Sequence, residues 1–185
     1  MKNSKVSYRY AEALFREAKS QNKLNEVMSE LDQINNLVKT SKDFRTLLNT
    51  PIIVQSKKME IFSELFKNRV SELVLNFIVF LAEKGRENIL PSIYENFTHT
   101  YNLEKGLLPV TITSAENLSD ELKTNIIHGV EKHTNKKVIP NYQVDSSLIG
   151  GITINIYNWV YDASLKRQLQ LMHEHLLKGI KIKDI

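Results

Sequence analysis

The stretch DSSLIGGITINIYNWVYDASLKRQLQLM, residues 145–172, carries three structural signals in a fixed order and decides how the C-terminal part of the chain folds. Ile152, Ile154 and Ile156 alternate with Gly151, Thr153 and Asn155, the period-two pattern of a strand buried on one face. Tyr157, Asn158 and Trp159 break the alternation before Val160 and Tyr161 resume β-prone sequence, which predicts a tight hairpin. A helix follows at once. Asp162 or Ser164 can cap it, and Leu165, Leu169, Met172 and Leu176 recur at steps of 4, 3 and 4 residues as one apolar stripe. Gly150-Gly151 lacks the further glycines, Lys and Ser or Thr of a phosphate-cradling loop, so the pair reads as backbone geometry, either a bulge or a close approach of two chains.

Upstream of that stretch the pattern is first purely helical. Residues 4–20 place Val6, Tyr8, Tyr10, Ala11, Ala13, Leu14, Phe15 and Ala18 on an arc of about 220°, roughly twice the stripe of a one-sided surface helix. Such a helix touches more than one neighbour: either two helices of its own bundle, or one helix and a partner. Leu24 to Val38 predicts a second helix, Phe44 to Leu48 a short third capped by Ser41 or Asp43, and Met59 to Phe66 a fourth capped by Ser56. The fifth, Val70 to Lys84, is the most apolar, with Glu72, Asn76 and Glu83 confined to a narrow strip. It is either the bundle centre or a second two-sided helix. Gly85 supplies a left-handed cap, Pro91 falls in the first turn of a sixth helix, and Gly106 stops that helix.

After Pro109 the β-branched run Val110-Thr111-Ile112-Thr113 marks a change of composition, which sets the expected domain boundary at 105/106. A strand, a helix opening at Ser119 or Asp120, and a second strand with Pro140 at an edge or bulge lead into the C-terminal stretch. The expected fold is therefore multidomain, α and α+β: residues 1–105 as an N-terminal six-helix bundle, and residues 106–185 as a small α+β domain with a mixed sheet covered by two helices.

The 185 residues suffice for two small cores, and 42% apolar with 25% charged residues is an ordinary globular balance. The net charge of +4 is spread along the chain, with basic runs no longer than pairs such as Lys57-Lys58. A nucleic-acid binder would more often show a basic stripe with interleaved aromatics. The absence of cysteine excludes disulfides, thiolate nucleophiles and Cys-ligated zinc. The start, MKNSKVSYRYAEALF, carries no charged-then-apolar leader, so a cytoplasmic chain is expected. Its longest nearly apolar run, Leu73 to Ala82, is half of what crosses a bilayer, so any membrane association should be indirect.

Catalytic and metal signals are missing from the pattern. His173 and His175 stand two apart on a predicted helix and point about 200° away from each other, so they cannot share a metal. His99, His128 and His133 read as surface or partly buried structural histidines, and the paired carboxylates sit on helix faces where solvated salt bridges are the ordinary explanation. The pattern predicts no enzyme, no metal and no cofactor. Helical faces wider than a core requires point instead to an interaction module.

Three segments carry a family resemblance. Leu148-Ile149-Gly150-Gly151 opening a strand, a short turn, then Asp162-Ala163-Ser164 and a Leu-spaced helix are similar to the C-terminal signature of the ATP synthase delta subunit family, which includes the mitochondrial oligomycin-sensitivity-conferring proteins. Tyr10-Ala11-Glu12-Ala13-Leu14-Phe15 resembles the opening helix of that family, and Ala82-Glu83-Lys84-Gly85-Arg86 the end of its fifth helix. The three stand in family order and spacing across nearly the whole chain. The family usually turns its C-terminal hairpin on Gly-Asp, where Tyr157-Asn158 stands here.

The resemblance implies a non-catalytic subunit of the F-type ATP synthase that links the catalytic headpiece to the peripheral stalk, part of the stator during proton-driven ATP synthesis. It would lie on the cytoplasmic face of the cell membrane, peripheral and held there through the complex. It further implies a groove between the first and fifth helices for the N-terminal helix of an alpha subunit, involving Tyr10, Ala13 and Phe80, with Leu14 and Phe77 as neighbours. Finally, it implies contact of the C-terminal domain with b-type stalk subunits, for which Leu165, Leu169, Met172 and Leu176 are the candidates. The plainer reading of that stripe is that it covers the sheet. The rival function classes are a basic RNA-binding protein and a hydrolase whose site is assembled from distant residues.

Overall fold

The computed structural model describes residues 2–157 and 159–180, with side chains over 5–157 and 159–177. The trace divides into two compact units, Met1–Glu104 and Lys105–Ile185.

The first unit is helical: α1 (Lys2–Ser20), α2 (Leu24–Thr40), α3 (Lys42–Asn49), α4 (Gln55–Phe66), α5 (Glu72–Glu83), a 3₁₀ turn at Glu87–Ile89, and α6 (Leu90–Glu104). Local chemistry sets most of these limits. The Ser41 hydroxyl accepts from the Phe44 N–H at 3.2 Å and starts α3, as the pattern predicts. Gly85 at φ +61° and Gly106 at φ +65° end α5 and α6 in the left-handed region that a Cβ disfavours. Helix α4 departs from expectation: it begins at Gln55 behind Val54 and has no side-chain cap, so Ser56 lies inside its first turn. Helix α5 is capped from a distance, because the Ser71 N–H and hydroxyl both donate to the Glu30 carboxylate of α2, at 2.5 and 2.7 Å.

The core of this unit is aromatic at two places. Phe44 meets Phe62 and Phe66 edge-on at 6.2 and 5.9 Å, and Phe15 of α1 meets Phe97 of α6 at 5.7 Å. Asn96 donates to Ser7 at 3.2 Å and Lys19 pairs with Glu104 at 2.6 Å, so α1 and α6 run side by side in the same direction. One charged pair is buried with them. Lys58 donates to Glu87 Oε1, both side chains are almost fully enclosed, and Glu87 Oε2 has no hydrogen-bond partner among the described residues.

The second unit is α+β: β1 (Leu107–Ser114), α7 (Asp120–Thr134), β2 (Lys137–Val144), a 3₁₀ turn at Ser146–Leu148, β3 (Ile152–Ile156), β4 (Trp159–Asp162) and α8 (Leu165–Ile180). The sheet is mixed, in the order β2-β1-β3-β4, with β1 and β2 parallel and the other pairs antiparallel. A parallel neighbour needs a crossover, and α7, capped by Ser119, supplies it. Pro140 sits on the edge strand β2, where its missing N–H costs no ladder bond toward a further strand. Leu108, Val110 and Ile112 of β1 and Val138 of β2 form the buried core, with Ile126, Ile127 and Val130 of α7 packed on it.

Two expectations need correction or limit. The sheet is not covered by both helices: α8 packs against the Ser146–Leu148 turn, and Leu165, Leu169, Met172 and Leu176 are 45–65% exposed. β4, the strand feeding α8, is an edge strand, and its Trp159, Val160 and Tyr161 are exposed as well. In the hairpin turn Tyr157 adopts φ +50°, while Asn158 lies outside the described residues.

Candidate functional site

Helices α1 and α5 each have two apolar faces, and the second face of each lines one groove. On α1 the buried face carries Ala11, Phe15 and Ala18, while Val6, Tyr10, Ala13 and Leu14 turn toward the groove. On α5 the buried face carries Val74, Ile78 and Leu81, while Leu73, Phe77 and Phe80 turn toward the same space. Spacings of three and four residues keep each set on one side of its helix. The cavity between them measures about 600 Å³.

Its aromatic edge is fixed by ring and cation contacts. The Tyr10 ring meets Phe77 at 6.4 Å and Phe80 at 6.2 Å. Arg86 donates from Nη1 to the Tyr10 hydroxyl at 2.9 Å, and its guanidinium lies 5.6 Å from the centre of the same ring. Lys84 stands 5.4 Å from the centre of Phe80. Phe80 is nevertheless 41% exposed, a large ring held half open to water.

The structure brings all five sequence-derived groove residues, Tyr10, Ala13, Leu14, Phe77 and Phe80, to this one place. Their roles differ. Leu14 is buried and forms part of the floor, Ala13 is exposed and leaves room above it, and Tyr10, Phe77 and Phe80 form the wall. Sequence reasoning missed the polar lining: Arg9, Glu17, Asn76 and Arg86. Arg9 and Glu17 stand three and four residues from Val6 and Ala13, a helical spacing that was visible but does not show which polar residues border an open face.

The second unit exposes a different surface. Helix α8 is rooted by three bonds: the Asp162 carboxylate accepts from the Ser164 N–H at 2.9 Å, the Ser164 hydroxyl accepts from the Arg167 N–H at 3.2 Å, and the Leu165 N–H donates to the Gly150 carbonyl at 2.9 Å. The Ser164 hydrogen bonds, side chain before backbone, hold the Asp162 carboxyl below its ordinary range. Gly151 allows this root to form. At φ +76°, a Cβ there would stand 2.3 Å from the Ala163 carbonyl oxygen. Beyond the root the four stripe residues lie open. A separate apolar cavity of about 720 Å³ lies between α7, β3 and β4, walled by Ile126, Val130, Ile154, Ile156, Trp159 and Tyr161.

Among the described residues no three His, Cys, Asp or Glu side chains gather as a metal site, and no helix is long and apolar enough to cross a membrane. The family model described as ATP synthase delta (OSCP) subunit matches residues 6–176. The chain belongs to that family. The ATP synthase subunit delta of Pelodictyon phaeoclathratiforme is 33% identical over 172 residues, covering 93% of this chain and 97% of the relative. That of Brevibacillus brevis is 34% identical over 168 residues, covering 91% and 96%. A chain in the cryo-EM structure of the Toxoplasma gondii mitochondrial ATP synthase hexamer shares the fold, with a TM-score of 0.76 at 22% identity, covering 93% of this chain and 97% of that one. As a delta-family chain it is a structural subunit of the F-type ATP synthase stalk, which leaves the RNA-binding reading without support.

Proposed function

We infer that this subunit joins the catalytic headpiece to the peripheral stalk and acts in the stator without catalysis of its own. Residues 1–105 serve as a six-helix bundle that folds alone and grips the headpiece; residues 106–185 serve as the domain that meets the stalk. The observation that carries the reading is the groove between α1 and α5, apolar, aromatic at its edge and open, on helices whose opposite faces already fill a core. An apolar groove between two helices suits one amphipathic helix, with Ala13 permitting close approach and Tyr10, Phe77 and Phe80 as anchors. By family likeness the occupant is the N-terminal helix of an alpha subunit.

The exposed Leu165, Leu169, Met172 and Leu176 stripe of α8 suits a second helical partner, by the same likeness a b-type stalk subunit. On the same reading the chain lies on the cytoplasmic face of the cell membrane, peripheral and held there by the complex. Titration of the whole chain with a peptide of the alpha N-terminal segment tests the first contact. Saturable binding with a negative heat-capacity change, the mark of apolar burial, is the expected result, and absence of binding would remove the groove assignment.

A further inference from the structure

We propose that the groove between α1 and α5 reads the charge order of its helical occupant: an acidic side chain of that helix lies against Arg9 and Arg86, and a basic one two turns away lies against Glu17. The inference rests on the helix-binding reading above and specifies what that helix must carry.

The apolar wall gives affinity but little direction, because burial of hydrocarbon is insensitive to which end of a helix is which. The polar lining does have direction. Arg86 is tied to Tyr10, the residue next to Arg9 on α1, and both arginines line the groove. Glu17 is eight residues further along α1, about 12 Å by helical rise.

The neighbouring charges do not blur this arrangement. Glu12 pairs with Arg16 at 2.5 Å, and Glu83 pairs with Lys84 at 2.7 Å. Among the described residues Arg9, Arg86 and Glu17 form no ion pair, although Glu17 accepts a hydrogen bond from Gln21 at 2.8 Å. A helix laid over Tyr10 and Phe80 displaces water beside these groups, which strengthens a matched charge and penalises a mismatched one. The matching occupant therefore carries its acid and base seven or eight residues apart, a separation of about 10–12 Å along a helix.

The alpha N-terminal peptide of the same organism is the probe, titrated at low and high salt against the whole protein and its Arg9→Gln, Arg86→Gln and Glu17→Gln variants. Each substitution is expected to weaken binding by about two- to five-fold at low salt and to flatten the salt dependence. Neutralising the peptide's acid should cancel the Arg9→Gln effect in a double-mutant cycle. Arg86→Lys should keep its affinity; if it loses as much as Arg86→Gln, the guanidinium only positions Tyr10 and its charge role fails. A peptide without an acid and a base at that spacing, or equal affinities across all variants, would overturn the charge reading and leave the groove standing. Failure of the unaltered protein to bind the peptide would strike the helix-binding reading itself.

Discussion

Phe80→Asp tests the groove at its most exposed anchor. A phenylalanine side chain presents about 200 Å², and Phe80 leaves 41% of its surface open. Covering that remainder, about 80 Å², stabilises a complex by about 2 kcal/mol at 25 cal/mol per Å². The substitution should therefore weaken binding of the alpha N-terminal peptide by about 30-fold or more, since the new carboxylate also meets an apolar surface. The buried part of the ring lies against Tyr10 and Phe77, so the unit loses stability as well, by up to about 3 kcal/mol on the same area scale. Circular dichroism and urea unfolding establish that the variant is folded at the temperature of the calorimetric titration. Ala13→Arg provides the complementary variant, because Ala13 is exposed and the added side chain fills the groove without entering the core. A folded Phe80→Asp protein with unchanged affinity would refute the groove as the binding surface, and unchanged affinity in Ala13→Arg would do so independently.

Gly151→Ala should destabilise the C-terminal unit by at least about 2 kcal/mol in denaturant unfolding, from its positive φ and from the Ala163 carbonyl oxygen in the way. Gly150→Ala should cost less, since the obstructing Leu165 side chain can rotate aside. Lys58→Met leaves Glu87 buried without its cation and should cost about 3–5 kcal/mol, whereas Lys58→Met with Glu87→Leu should recover most of that loss; equal unfolding midpoints for the single and double variants would contradict this. Asp162 contributes stability above the ordinary carboxyl value of 3.8 and loses it as pH falls through its lower folded value. Acid unfolding of the C-terminal unit should thus be less steep in Asp162→Ala, as a pH series of melting curves would reveal.

Much of this molecule was legible because its signals are local. Apolar residues at helical spacing located α1 to α6, Ser41 and Ser119 announced their helices, and Gly85 and Gly106 marked the left-handed stops. The width of the apolar arcs on α1 and α5 also pointed toward the groove, since a core uses only one side of a helix. What escaped depends on residues far apart in the chain. Lys58 looks like a solvated surface lysine until Glu87, 29 positions later, is folded against it. Glu30 acts as the cap of α5 from 41 residues upstream, which no local rule anticipates. The α8 stripe looks like a sheet-covering face because its period is right, but period does not tell what lies beneath a helix, and the fold leaves all four residues exposed. Ser56 failed as a cap because Val54 already turns the backbone into α4, two residues earlier than the polar side chain required.

The root of α8 has a mechanical meaning. Helix α8 is 16 residues long, about 24 Å, with its three bracing bonds gathered at one end around Asp162, Ser164 and Gly150. It is a cantilever: a sideways load at its tip acts on a long lever arm, and the bending moment is greatest at the root, where those few bonds stand. A partner that touched only the tip would pry those bonds open. A partner lying along the whole stripe would instead spread the load over successive turns, so that force passes through the length of the helix into β3 and β4 as shear across paired strands, the direction in which a sheet's hydrogen bonds share strain.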